Sequence, residues 1–188
     1  GVVVRLREAI AASARQARAA EAPEAMGTAA LVWQADGRLY RTMRTLAQDN
    51  DIVLIQETKL PSEEPELTER LHALLQTGEF AEWKVHSSPA LPEDAGAGVL
   101  MWYNATAVEI ENGTVAVPVK GRIQRARVRV KADGTRFALT HAYMPTRRGR
   151  LTEQQAALQA AARDALHRAA ASAHADGLAH VVAGDLQV

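Results

Sequence analysis

The sequence predicts an α/β protein, and three observations support that class. Two apolar runs of strand length, residues 51–56 and 178–183, are each followed closely by a carboxylate, Glu57 and Asp185. Segments with helical periodicity lie between predicted strands, and the middle of the chain is rich in short strands. Because two acids on neighbouring strand ends are suited to a hard divalent cation, the same runs indicate where chemistry would take place.

The first third of the chain predicts an outlying helix followed by an α/β alternation. Residues 3–22 are rich in alanine and arginine and predict a helix that ends before Pro23, with residues 23–28 as a linker. This helix is either docked or a partner-binding arm, and a solvated face is favoured over contact with nucleic acid. The following predicted elements are a strand at 29–34, a turn at 35–37, a helix at 39–48, a strand at 51–56, a loop at 61–65 and a helix at 66–76.

The middle and last parts of the chain predict a β-rich region, a long helix and a final buried strand. Alternation in strand 124–131 sets Ile123, Ala126, Val128 and Val130 against Arg125, Arg127, Arg129 and Lys131. Residues 132–135 predict an Asp-Gly hairpin turn. Thr152 and Gln155 predict a capping box for a helix over 152–175, with Gly177 as its stop. The predicted strands are 82–87, 98–103, 108–111, 114–117, 124–131, 136–141 and, last and buried, 178–183.

Composition indicates one soluble domain without a strong charge. The 188 residues are enough for one real core, and 22 basic residues balance 22 acidic ones. A non-specific nucleic-acid coat is usually basic, so contact with a polyanion requires a local patch. The absence of cysteine excludes disulfides and thiolate metal sites and favours an intracellular setting. No apolar run approaches the roughly 18 residues of a membrane span, and the N-terminus lacks a signal-peptide stretch.

Three residues at predicted strand ends are candidates for chemistry. Glu57 can bind Mg²⁺, which takes oxygen ligands and tolerates few protein carboxylates. Asp185 follows Gly184 and can act as a metal ligand or as a base that orients water. Tyr143 precedes Met144-Pro145, and its phenol can donate a hydrogen bond to a phosphate oxygen. The structural alternatives are a cap or surface charge for Glu57, a turn residue for Asp185 and a packed side chain for Tyr143.

The residues around Tyr143 predict a phosphate-binding patch. Arg147, Arg148 and Arg150 form a basic loop directly after it, and arginine side chains suit phosphate. His141 lies two residues earlier and should face the same way as Tyr143. A solvated loop and a structural histidine are the alternatives. Residues 96–98 (Gly-Ala-Gly) lack the Lys-Ser/Thr of a phosphate loop and predict close backbone packing instead.

Taken in order, these segments resemble the endonuclease/exonuclease/phosphatase superfamily. That superfamily includes abasic-site endonucleases, retrotransposon endonuclease domains, inositol polyphosphate phosphatases and deadenylases. The resemblance covers about residues 29–188, and residues 51–59 are its most specific part. It looks closest to abasic-site enzymes at residues 184–188 and also suits retrotransposon enzymes at Gly121-Arg122. The matching segments are 32–37, 51–59, 98–103, 121–130, 140–145 and 181–188.

The resemblance implies a four-layer α/β/β/α sandwich with two mixed sheets and a Mg²⁺- or Mn²⁺-dependent DNA endonuclease. It implies that Glu57 binds the metal, that Tyr143 assists at the phosphate and that Asp185 orients or activates water. A retroelement-derived enzyme would be nuclear. Residues 1–28 would form an added element outside the domain at 29–188.

Departures from the family pattern keep other functions open. The family normally has Asn where this chain has Gln34 and Gln187, and glutamine places its amide one methylene further out. Its closing Asp and general-base His lie downstream of Val188, so a further segment or a partner chain is expected to complete the second sheet. The alternatives are a catalytically impaired scaffold or nucleic-acid-binding member, and a phosphatase of small phosphorylated substrates.

Overall fold

The computed structural model describes residues 37–144 and 152–186, with the backbone alone for residues 37–40. The helix predicted at 3–22 and the strand predicted at 29–34 lie outside these residues. Three α-helices and eight strands follow one another in the described ranges. Their bounds are α1 Gly37–Asp49, β1 Ile52–Gln56, α2 Pro65–Leu74, β2 Trp83–Ser88, β3 Val99–Asn104, β4 Val108–Ile110, β5 Ala116–Val119, β6 Ile123–Val130, β7 Arg136–Tyr143, α3 Glu153–Ala175 and β8 Ala179–Asp185.

The first sheet has three antiparallel strands in the order β1-β3-β2. One face packs against α1 and α2 through a cluster that includes Met43, Leu71 and Trp102. Trp102 is completely buried, and its indole N–H donates to the carbonyl oxygen of Leu75 at 2.8 Å. This sheet is wholly antiparallel in the described residues, whereas the sequence predicted a mixed sheet.

The second sheet has five strands, with β4 and β5 both paired to β6 and the order β4-β6-β7-β8 across it. Strands β6 and β7 form the predicted hairpin, in which Asp133 accepts from the N–H of Thr135 at 2.9 Å and Gly134 has a φ of 75°. Strand β8 pairs with β7 in parallel, which makes this sheet mixed. A parallel neighbour requires a crossover, and α3 supplies it.

The four layers predicted by the resemblance are present. Between the sheets lies a cluster with Met101 and Tyr103 from the first sheet and Val128 and Leu139 from the second. The outer face of the second sheet packs on the small-residue face of α3. That face consists of Ala162, Ala165, Ala169 and Ala173, all buried and spaced three or four residues apart.

Local signals placed α3 accurately. Thr152 accepts from the N–H of Gln155 at 3.1 Å, and the Gln155 side chain accepts from the N–H of Thr152 at 3.0 Å. This is the predicted capping box. Gly177 follows the helix with a φ of 67°, a left-handed conformation that suits glycine at a helix end.

Two predicted strands differ from the structure. The strand predicted at 114–117 lies two residues later as Ala116–Val119, with a register irregularity against β6 and Pro118 inside it. Proline is tolerated there because β5 pairs only with β6 among the described strands. The last strand was predicted to be buried, but Val181 is 43% and Val182 is 37% exposed. That prediction was wrong because β8 is an edge of the described sheet.

None of the helices in the described ranges is both long and apolar enough to cross a membrane.

Candidate functional site

Glu57 lies where β1 ends, and the backbone changes direction there. Its φ is 53°, in the left-handed region that residues other than glycine rarely adopt. Pairing with the residues before β3 continues past it, since the N–H of Thr58 donates to Gly98 O at 3.1 Å and that of Lys59 to Ala97 O at 2.9 Å. Backbone strain held by neighbouring contacts is typical of functional sites. Glu57 is 52% exposed in its side chain, so its carboxylate is accessible from solvent.

Gly98 allows the close approach that holds this segment. A Cβ at Gly98 would lie 2.2 Å from the hydroxyl oxygen of Thr58, and the residue has a φ of 101°. The predicted close backbone packing of residues 96–98 is therefore present at Gly98. A Cβ added at Gly96 would meet none of the described atoms within 4 Å, so Gly96 plays no such part.

Tyr143, in the second sheet, is hydrogen-bonded to Glu57 at the end of the first sheet. It lies at the end of β7, and its phenol O–H donates to Oε1 of Glu57 at 2.8 Å. Burial, with a further contribution from the hydrogen bond to Glu57, raises the pKa of Tyr143. The phenol therefore stays protonated at neutral pH and acts as a hydrogen-bond donor. Two residues that are 86 positions apart in sequence thus meet at one rim.

Asp185 lies at the same end of the second sheet. It is opposite Tyr143 in the parallel register of β7 and β8, and its carbonyl oxygen accepts from the N–H of Met144 at 2.9 Å. Strands β1 and β8 also approach each other, with Cα atoms within 8 Å. Asp185 is exposed. The ends of β1, β7 and β8 therefore meet at one exposed edge that carries Glu57, Tyr143 and Asp185.

A buried ion pair behind Tyr143 was not foreseen from the sequence. Arg122 is only 6% exposed, and it donates from Nε and Nη2 to the two carboxylate oxygens of Asp94 at 2.7 and 2.6 Å. Its Cζ lies 4.4 Å from the centroid of the Tyr143 ring. The Gly121-Arg122 pair was noted in the sequence. Its partner Asp94 lies 28 residues earlier in a loop, and no sequence pattern links the two residues.

His141 shares a strand with Tyr143 but lies in the interior. It is 0% exposed, and burial lowers its pKa to about 4. Its register partner on β6 is Gln124, also 0% exposed. Neither side chain has a hydrogen-bond partner within the described part of the chain. A neutral, enclosed imidazole does not reach a surface phosphate, so we leave His141 out of the proposed phosphate-binding set.

The carboxylates at this edge are compatible with Mg²⁺ but do not form a closed cage. Within residues 37–144 and 152–186, no group of three or more His, Asp or Glu side chains is placed to hold a metal ion. Mg²⁺ commonly keeps several waters and takes only one or two protein carboxylates. Glu57 is accessible, with Oε1 held by Tyr143 and Oε2 3.9 Å from Nζ of Lys59, and it fits that pattern if the cation takes the place of the lysine contact. Gln34, Arg147, Arg148, Arg150 and Gln187 lie outside the described residues.

Comparison with known proteins identifies the fold. No protein-family model matches the chain, and no curated protein matches its sequence significantly. Among solved structures, the AP endonuclease LMAP from Leishmania major is similar with a TM-score of 0.56 and 19% identity, over 79% of this chain and 50% of that one. A mannosyl-6-phosphatase from Bacteroides thetaiotaomicron is similar with a TM-score of 0.51 and 15% identity, over 79% and 55%.

A third solved structure carries the family description itself. It is an endonuclease/exonuclease/phosphatase family protein from Bacteroides thetaiotaomicron, with a TM-score of 0.50 and 15% identity, over 79% of this chain and 52% of that one. The chain therefore has the endonuclease/exonuclease/phosphatase fold. It spans about half the length of the structures it matches.

Proposed function

We propose that this chain is part of a Mg²⁺-dependent phosphodiesterase, a DNA endonuclease of the abasic-site or retroelement type. The observation that carries the proposal is the 2.8 Å hydrogen bond between Tyr143 and Glu57, with Asp185 beside Tyr143 in the sheet register. Three candidate residues from distant parts of the sequence thus belong to one exposed edge. Convergence of that kind is expected of a site and is not required by packing, because Glu57 and Asp185 are exposed.

Each of the three residues has a role that suits its surroundings. Glu57 would hold the divalent cation through its accessible carboxylate, in place of the 3.9 Å contact between its Oε2 and Nζ of Lys59. When bound, Mg²⁺ supplies Lewis-acid stabilisation of charge on the phosphate oxygens. Tyr143, protonated at neutral pH, donates its phenol O–H to the Glu57 carboxylate and would so fix the carboxylate beside the metal. Asp185 would orient a water molecule and accept its proton.

The choice of a polynucleotide substrate rests on the basic residues that follow Tyr143 in the sequence. Arg147, Arg148 and Arg150 follow Tyr143 closely in the sequence, and we propose that they contact phosphates that flank the cleaved bond. Because the net charge is zero, contact with a polyanion would have to come from this local patch, and the neutral balance withdraws part of the support for a polymer substrate. The structural likeness to an AP endonuclease supports a DNA substrate.

A phosphatase of small phosphorylated substrates is the second candidate. The likeness to a mannosyl-6-phosphatase favours it, and it would use the same edge residues. Gln34 and Gln187, where the family has Asn, support a third possibility in which the fold serves as a catalytically impaired or nucleic-acid-binding scaffold.

Cleavage assays on matched substrates distinguish these proposals. We expect the protein of which this chain is part to nick a duplex with one abasic site in Mg²⁺, and Glu57→Gln to lower the rate at least about 100-fold, since it removes the metal-binding charge. Glu63→Gln, which removes an exposed carboxylate from the loop after β1, is the matched control and should retain the wild-type rate.

Two outcomes would overturn the endonuclease proposal. Release of phosphate from small monoesters without nicking would favour the phosphatase. Absence of both activities in the wild type, with nicking gained by the Gln34→Asn/Gln187→Asn variant, would favour the impaired scaffold.

A further inference from the structure

Arg122 is held in place more firmly than a surface arginine. Both of its bonds to Asp94 are short, and the fork is bidentate, a geometry that fixes the plane of the guanidinium. Asp94 belongs to a short 3₁₀ turn, Pro92–Asp94, in the loop that joins β2 to β3. The side chain of Arg122 is 7% exposed and that of Asp94 is 22% exposed, so solvent screens the pair less than it screens the surface pairs.

The loop that carries Asp94 is itself fastened to the start of β6. The N–H of Gly98 donates to Gly121 O at 3.0 Å, and the N–H of Gly121 donates to the hydroxyl of Ser88 at 2.7 Å. Gly121 has a φ of 67°, and a Cβ there would lie 3.2 Å from Pro89 O. These contacts fix the position of Asp94 relative to Arg122.

Arg122 contacts Tyr143 through both its backbone and its side chain. Its carbonyl oxygen accepts from the N–H of Tyr143 at 2.8 Å, and its guanidinium lies over the ring with Cζ 4.4 Å from the centroid. A cation over an aromatic face at this distance is attracted to it. The hydroxyl of the same ring donates to Oε1 of Glu57.

We infer that Arg122, oriented by Asp94, is a positioning residue that holds the Tyr143 ring where its hydroxyl meets Glu57. The series of contacts runs Asp94–Arg122–Tyr143–Glu57 and links the β2–β3 loop to the exposed edge. Lysine cannot replace arginine in this series, because a single ammonium cannot make the bidentate fork and lie flat on the ring. The contacts carry the inference on their own, and only its catalytic consequence rests on the proposed function.

The test is NMR spectroscopy of the metal-free protein with ¹³C-labelled tyrosine rings. The chain has three tyrosines, so the Tyr143 resonance is identified by its loss in Tyr143→Phe. We expect Arg122→Lys and Asp94→Asn each to move the Tyr143 ring resonance further than they move that of Tyr103. Arg129→Lys is the matched control, because Arg129, on the strand that follows Arg122, pairs with Glu109 at the surface, and it should leave Tyr143 unmoved.

Each outcome decides the inference. A Tyr143 resonance that stays in place in folded Arg122→Lys, or that moves as far in Arg129→Lys, overturns it. If Arg122→Lys does not fold, Asp94→Asn decides by the same criterion. Where nicking is measurable, Arg122→Lys should lower kcat about 10- to 100-fold with little change in KM, as expected for misplacement of a catalytic group. Failure of nicking in the wild type would remove the proposed function and leave the NMR result standing.

Discussion

Replacement of Gly184 by alanine should displace the strand end that carries Asp185. Gly184 has a φ of 137°, and a Cβ there would lie 1.9 Å from the carbonyl oxygen of Ala142, its register partner on β7, and 2.9 Å from the carbonyl carbon. Because backbone atoms cannot swing aside as a flexible side chain can, β8 must move away from β7 by more than about 1 Å before the contact becomes acceptable.

The expected cost has two sources. Holding alanine at this φ costs about 2 kcal/mol of backbone strain. Loosening one hydrogen bond of the ladder costs about 1 kcal/mol more. Gly184→Ala should therefore lower the free energy of unfolding by roughly 3 kcal/mol, a large part of the stability of a small domain.

Urea denaturation followed by circular dichroism measures this effect. Gly96→Ala is the matched control, because Gly96 has no positive φ and an added Cβ would meet no described atom within 4 Å, so its effect should stay within about 0.5 kcal/mol. A second readout is Mn²⁺ affinity, which should fall in Gly184→Ala if Asp185 contributes to the edge. Equal unfolding free energies for the two variants would refute the close pairing of β7 and β8 at this point.

Three further predictions address burial and capping. Burial lowers the pKa of His141 from 6.5 to about 4, so on acidification the unfolded state binds a proton before the folded state does. The free energy of unfolding should therefore be at its full value above pH 6.5 and fall by up to about 3 kcal/mol as the pH is lowered from 6.5 to 4. His141→Phe should lose this part of the pH dependence in urea titrations at about pH 7 and pH 4.5, and an equal slope in His141→Phe and in the exposed control His174→Gln would contradict it. Val181→Thr should change the unfolding free energy by less than about 0.5 kcal/mol, whereas Val128→Thr, at 0% exposure, should cost about 2 kcal/mol because its hydroxyl is buried; similar costs would mean that β8 is covered. Thr152→Ala removes the capping box and should lower the free energy of unfolding by about 1 kcal/mol, which would lower the melting temperature. An unchanged melting curve would argue against the cap.

The elements that could be predicted from the sequence are those with local signals. Thr152 and Gln155 lie within one helical turn of each other, and the Asp-Gly turn lies between the two strands that it joins. The apolar run before Glu57 is long enough to be recognised as a strand without knowledge of its partners. Such features depend on neighbours within a few residues, which a single sequence displays directly.

The features that were missed depend on residues distant in the chain. Asp94 and Arg122 are 28 positions apart, and neither shows its partner by type or spacing. Gln124 was assigned to no face, yet it lies beside His141 in the interior. The run at 178–183 predicts a strand correctly, but its burial depends on which elements cover it, and apolar composition does not reveal that.

The most direct test of the account is an anomalous difference map from crystals soaked in Mn²⁺. We expect a peak about 2 Å from a carboxylate oxygen of Glu57, at the distance of a hard divalent cation from its ligand, on the edge shared with Tyr143 and Asp185. Loss of that peak in Glu57→Gln, with the Tyr143 ring still in place, would strengthen the assignment. A peak only at another location, or no peak under saturating Mn²⁺, would contradict it.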